Sequence, residues 1–126
     1  MKRAAIFLAV LEFAAVASAA AAPRLKPIMR DWKVQAKQAE LMLIGAAPYD
    51  EAELRQILTG MVGDARDVQV GISAANAQAL DLKGRFSQFE VDAAATLQAA
   101  AARDSARAHF QRVAGDCRSC HDAFNN

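Results

Sequence analysis

Apolar residues recur at steps of three and four along most of the chain, the spacing of a buried helix face. In the first such segment, from about Leu25 to Ala46, they are Leu25, Ile28, Met29, Trp32, Ala36, Ala39 and Leu43. Pro27 falls in its first turn, where a missing N–H does no harm. Ala47-Pro48-Tyr49 ends the segment, because proline disfavours helix in the residue before it. A second helix is predicted from Asp50 to about Ala79, carrying Leu54, Leu58, Met61, Ala65, Val68, Ile72 and Ala75. Asp50-Glu51-Ala52-Glu53 reads as a capping box at its start. A loop is expected around Leu82-Lys83-Gly84-Arg85. The third helix then carries Phe86, Phe89, Ala93, Leu97 and Ala100. The fourth is expected to begin near Asp104-Ser105, both good N-caps, and carries Ala106, Phe110, Val113, Ala114, Cys117, Cys120, His121 and Phe124. Four helices with short connections predict an all-α fold, an antiparallel bundle running up-down-up-down.

The first 22 residues follow a different pattern. Lys2 and Arg3 precede a mostly apolar stretch from Ala4 to Val16, and small residues follow to Ala22. That is the layout of a secretory signal peptide, with Ala17-Ser18-Ala19 or the alanines after it as the cleavage site. The stretch is short for a bilayer span and is interrupted by Glu12, so a cleaved leader is expected over residues 1–22 and one domain over 23–126. No later segment is apolar enough to cross a membrane. Of the 15 basic and 14 acidic side chains, two and one fall in the leader, so 13 of each remain in the mature domain. A neutral domain lacks the basic surface that a nucleic-acid binder needs.

The two cysteines stand in Cys117-Arg118-Ser119-Cys120-His121, the attachment signature of c-type haem. The spacing has a geometric reason: residues three and four apart share one face of a helix. Cys117 and Cys120 then present their thiols to the two vinyl groups of one porphyrin, and His121 presents its imidazole to the iron. Three rival readings are weaker. A thioredoxin-like CxxC wants a βαβ context, which is missing. A zinc site wants four ligands, and the chain has one further histidine, His109, pointing about 120° away from His121 on the same helix. A plain structural disulfide between the two cysteines is the third.

With this motif near the C-terminus and helices upstream, the chain resembles the cytochrome c-prime family. The resemblance spans the expected mature domain in outline and rests on the Cys117 to His121 motif, Asp122-Ala123-Phe124 after it, Phe110 seven before it, and Ala47-Pro48-Tyr49-Asp50 at the first turn. It implies a four-helix bundle with haem c on the last helix. It further implies a second ligand position on the first helix, filled by Leu in five-coordinate gas binders and by Met in the low-spin cytochrome c-556 type. Counting back from Ala47-Pro48-Tyr49-Asp50 in the family's register reaches Met29. Met61 and Met42 are rival ligands, and core filling is the ordinary use of such methionines. The chain departs from the family's pattern where basic residues normally help hold the haem propionates: Asn125 stands four after His121, and Leu25 stands one turn before Met29, with Arg24 beside it. The second connection is also shorter than the family's.

The expected function is electron transfer through a haem iron held by His121 and Met29. No nucleophile–base constellation and no phosphate loop appears, so a carrier is expected, not an enzyme. The alternative is a gas-binding or sensing protein whose iron is five-coordinate or whose Met lets go. Export and the haem implied by the resemblance place the chain in a bacterial periplasm, with redox proteins as partners and a homodimer among the family's assemblies.

Overall fold

The computed structural model describes residues 25–73 and 75–124. The expected leader, Arg24 and Asn125 lie outside these residues. Among the described residues there are four helices and no strand: α1 over residues 25–43, α2 Glu51–Gly71, α3 Ala77–Gln98 and α4 Arg103–Phe124. The all-α bundle expected from the periodicity is therefore the observed architecture. None of these helices is long and apolar enough to cross a membrane.

The inward stripes meet in one core. Trp32, Ala39, Met42 and Leu43 of α1 pack with Leu54, Leu58, Met61 and Ala65 of α2, Phe86, Phe89 and Ala93 of α3, and Ala106, Phe110 and Val113 of α4. Trp32 stacks on Phe89 with ring centroids 4.3 Å apart and planes 11° from parallel. Its indole Nε1–H donates to Asp64 Oδ2 on α2 at 3.1 Å, so one side chain ties three helices together. At one end of the bundle the first and third connections touch, with the Tyr49 hydroxyl donating to the Ala100 carbonyl. The chain directions then bring the start of α1, the end of α2, the start of α3 and the end of α4 to the opposite end.

Three boundaries differ from the sequence expectation. The first helix stops at residue 43, not Ala46, because Gly45 takes a left-handed φ of 82°, a conformation glycine adopts without penalty. Its N–H donates to Met42 O at 3.3 Å, and the Ala47 N–H to Leu41 O at 3.0 Å, closing off exposed carbonyls. The second helix stops at Gly71, not near Ala79, and α3 already starts at Ala77. Asn76 caps it by accepting from the Ala79 N–H at 2.8 Å. The expected loop at Leu82-Lys83-Gly84-Arg85 is consequently a continuous part of α3, tightened by the Asp81–Arg85 pair at 3.0 Å. Lastly, α4 begins at Arg103, so Asp104 and Ser105 sit in its first turn and do not cap it. The cap at Asp50 is as expected on its own side, with Oδ1 accepting from the Glu53 N–H at 3.0 Å.

Candidate functional site

At the end of the bundle opposite the Tyr49 contact, a recess opens between α1, α3 and α4. It is lined by Met29 and Trp32 from α1, Arg85, Phe86 and Phe89 from α3, and Asp116, Cys117, Cys120 and His121 from α4. The four residues singled out in the sequence, Met29, Cys117, Cys120 and His121, thus lie around one space, although Cys117 follows Met29 by 88 positions.

Helical spacing accounts for the α4 side. The helix is unbroken through Phe124, so Cys117, Cys120 and His121 share a face. Phe86 and Phe89, three apart on α3, supply flat apolar wall in the same way, and the Trp32 indole lies against both, 6.0 Å from Phe86 and stacked on Phe89. Met29, one helical step of three before Trp32, is half-buried at the mouth of the recess. Met61 and Met42, the rival methionines, are 1% and 4% exposed inside the core and do not line it. His109 does not line it either; it is half-buried inside α4, with a buried Nδ1 that has no hydrogen-bond partner.

Both cysteines are free thiols. Burial, then the nearby Asp116, pushes the Cys117 thiol up to about 11. Burial also raises the Cys120 thiol. A redox-active CxxC lowers the pKa of its attacking thiol to gain a thiolate, so these shifts run against that rival. Among the described residues no three His, Cys, Asp or Glu side chains converge on a metal position, which is equally unhelpful to a zinc site. A porphyrin fits the donor set better. Two reduced thiols one turn apart, an imidazole on the same face and flat aromatic walls suit a covalently attached haem.

Two groups in the site were not foreseen from the sequence. Arg85 was assigned to a loop; its local signal was Asp81 four residues earlier, a helical i,i+4 pair. Asp116 immediately precedes the motif and had no local signal, because its partner is on another helix. Asp92 of α3 and Asp116 share a hydrogen bond that holds the Asp92 carboxyl below its ordinary range. Gln88 Nε2 also donates to Asp92 Oδ2, at 3.1 Å. Burial, and then Asp92, push the Asp116 carboxyl up to about 7, and its Oδ2 is buried without a partner.

The sign of the stability effect follows from these directions. The fold accommodates Asp116 protonated, so its contribution is intact below the ordinary value of 3.8 and is lost as pH rises through about 7. Asp92 acts in the opposite sense: its contribution is present above its ordinary value and lost as acid protonates it. Asp116→Asn keeps a donor for Asp92 and cannot ionise. It is expected to remove the decline between about pH 4 and 7 and, after solvent screening, to gain on the order of 1 kcal/mol at pH 8. Thermal unfolding of both proteins across that range checks it; a variant that melts below the parent at pH 8 contradicts it.

Comparison with solved structures gives one reference point. The structure titled "Cytochrome c' from Rhodobacter Spheriodes" matches with a TM-score of 0.67 and 22% sequence identity, covering 83% of this chain and 94% of that one. No family model and no curated protein matches the chain. At this identity the likeness establishes a shared fold, the four-helix bundle.

Proposed function

We propose that this chain is an exported, periplasmic monohaem c-type cytochrome of the Met-ligated kind within the cytochrome c-prime family, and that it carries single electrons. The observation that supports this most directly is the recess in which Met29 faces Cys117, Cys120 and His121. In this reading Cys117 and Cys120 hold haem c by thioethers, His121 is the proximal iron ligand and Met29 the sixth. The haem supplies a one-electron couple at its iron. The chain does the rest. The two thiols fix the ring to α4, while Trp32, Phe86 and Phe89 exclude water from its faces. A thioether ligand is soft and raises the reduction potential. Because both axial side chains project from helices tied into one core, little rearrangement accompanies a change of charge. With His121 and Met29 both holding the iron, no place would remain on it for a substrate, which is why the reading is a carrier and not an enzyme. Its partners are then other redox proteins, and a homodimer is compatible with the same bundle.

One observation favours a second reading. Met29 is half-buried and lies near the start of α1, where a helix has fewest constraints. A ligand there is the one most readily displaced, so the alternative is a protein whose Met29 yields its place to nitric oxide or carbon monoxide. Absorption spectra of the purified haem protein in both oxidation states, with and without carbon monoxide, separate the two. The carrier is expected to be low-spin throughout and indifferent to the gas. A high-spin spectrum, or prompt carbon monoxide binding by the reduced protein, replaces the carrier with the gas binder.

A further inference from the structure

A second recess, of about 340 Å³, adjoins the first along the groove between α3 and α4 and is lined by Leu80, Asp81, Gly84, Gln88 and Ser119 together with Arg85 and Asp116. Arg85 and Asp116 are common to both spaces. The two spaces differ in character. The first has walls of Met29, Trp32, Phe86 and Phe89; the second carries the polar side chains of Asp81, Arg85, Gln88, Asp116 and Ser119.

Arg85 is fixed at the junction. Its Nε donates to Asp81 Oδ2 at 3.0 Å, and its Nη1 donates to Ser119 Oγ at 2.7 Å and to the Ser119 carbonyl at 3.2 Å. Its guanidinium also lies over the Phe124 ring, 5.7 Å from the centroid. These contacts occupy Nε and Nη1 and leave Nη2 with no partner among the described residues. An arginine already held in place presents its free Nη2 with little further loss of entropy, and a carboxylate is the acceptor its charge suits best.

We propose that Arg85 is the cation that pairs with the carboxylate edge of the haem, drawing the propionates out of the aromatic recess into the polar groove. This rests on the haem reading above. A porphyrin ring is apolar and its two propionates are anionic, so it needs both kinds of wall. A carboxylate left against Trp32 or Phe86 without a partner is strongly disfavoured. Of the charged side chains lining the aromatic recess, His121 is committed to the iron and Asp116 is itself a carboxyl, which leaves Arg85. The arrangement also answers the departures at Leu25 and Asn125: the positive charge missing from those positions comes from α3.

The test uses the exported haem protein made with haem labelled by carbon-13 at the propionate carboxyls. Redox-difference infrared spectra are recorded for the parent, Arg85→Gln and Arg85→Lys, with the reduction potential of each. In Arg85→Gln the labelled carboxylate bands are expected to move and the potential to fall, since an unpaired anion favours the more positive iron. Arg85→Lys keeps the charge and is expected to return both toward the parent. A guanidinium that only braced Ser119 and Asp81 alters melting temperature but not the labelled bands. Bands and potential unchanged in Arg85→Gln overturn the pairing while leaving the haem reading intact. A purified parent without the visible absorption of covalently bound haem overturns the haem reading, and the pairing with it.

Discussion

Met29→Ala is expected to turn a low-spin absorption spectrum high-spin in both oxidation states, to open the iron to carbon monoxide, and to lower the reduction potential. Axial ligands set haem potentials over about 0.8 V, so the fall should be on the order of 100 mV or more. The expectation comes from position. Met29 lines the recess that Cys117, Cys120 and His121 also line, whereas Met61 and Met42 are enclosed among core side chains. Met61→Ala therefore makes a sharp contrast: it should cost roughly 2–5 kcal/mol of stability as a core truncation and leave the spectrum alone. Met29 is half-exposed, so its removal should cost little stability. Visible spectra and thermal unfolding of the two variants decide the matter. If Met61→Ala changes the spin state and Met29→Ala does not, the ligand register is wrong. If neither does, neither of these methionines ligates the iron.

Much of this site was legible in the chain because its parts obey local rules. Cys117, Cys120 and His121 needed only helical periodicity to share a face, and α4 is continuous through all three. Trp32, Phe86 and Phe89 announced themselves as core by spacing, though which aromatics would wall the recess depended on packing between α1 and α3. The boundary between the second and third helices was misread for a physical reason. The apolar rhythm of α2 carries on through Val68, Ile72 and Ala75 past the point where the backbone turns, and Gly71 with the Asn76 cap decides the break instead. Shifting that break moved Gly84 and Arg85 from a loop onto a helix. Arg85 then reaches Ser119, 34 positions away, a contact no local pattern contains. The Asp92–Asp116 pair was invisible for the same reason: each is an ordinary surface-type residue until α3 and α4 are laid together.

Cys117→Ala combined with Cys120→Ala, expressed for export, is expected to yield a poorly folded protein, with loss of several kcal/mol relative to the haem-bearing parent. The bundle spans about a hundred residues, a size at which the core supplies only a small margin over conformational entropy. On the proposed reading, a haem among α1, α3 and α4 would enlarge that core. At roughly 25 cal/mol per Å², every hundred Å² of ring and wall taken from water contributes about 2.5 kcal/mol. The thioethers matter because they make this contribution independent of haem concentration; without them the ring stays only as long as His121 and the walls retain it. The loss falls at a particular place. The end of the bundle held by Tyr49 and Ala100 keeps its contacts, while the open end loses what joins Met29 to α4. Hydrogen exchange should accordingly show the start of α1 and the end of α4 unprotected first. Circular dichroism and a urea titration of the double variant measure the global effect. A helical, cooperatively unfolding apo-bundle of parent-like stability refutes the expectation, because the apolar walls of the recess would then be closing on each other without the ring.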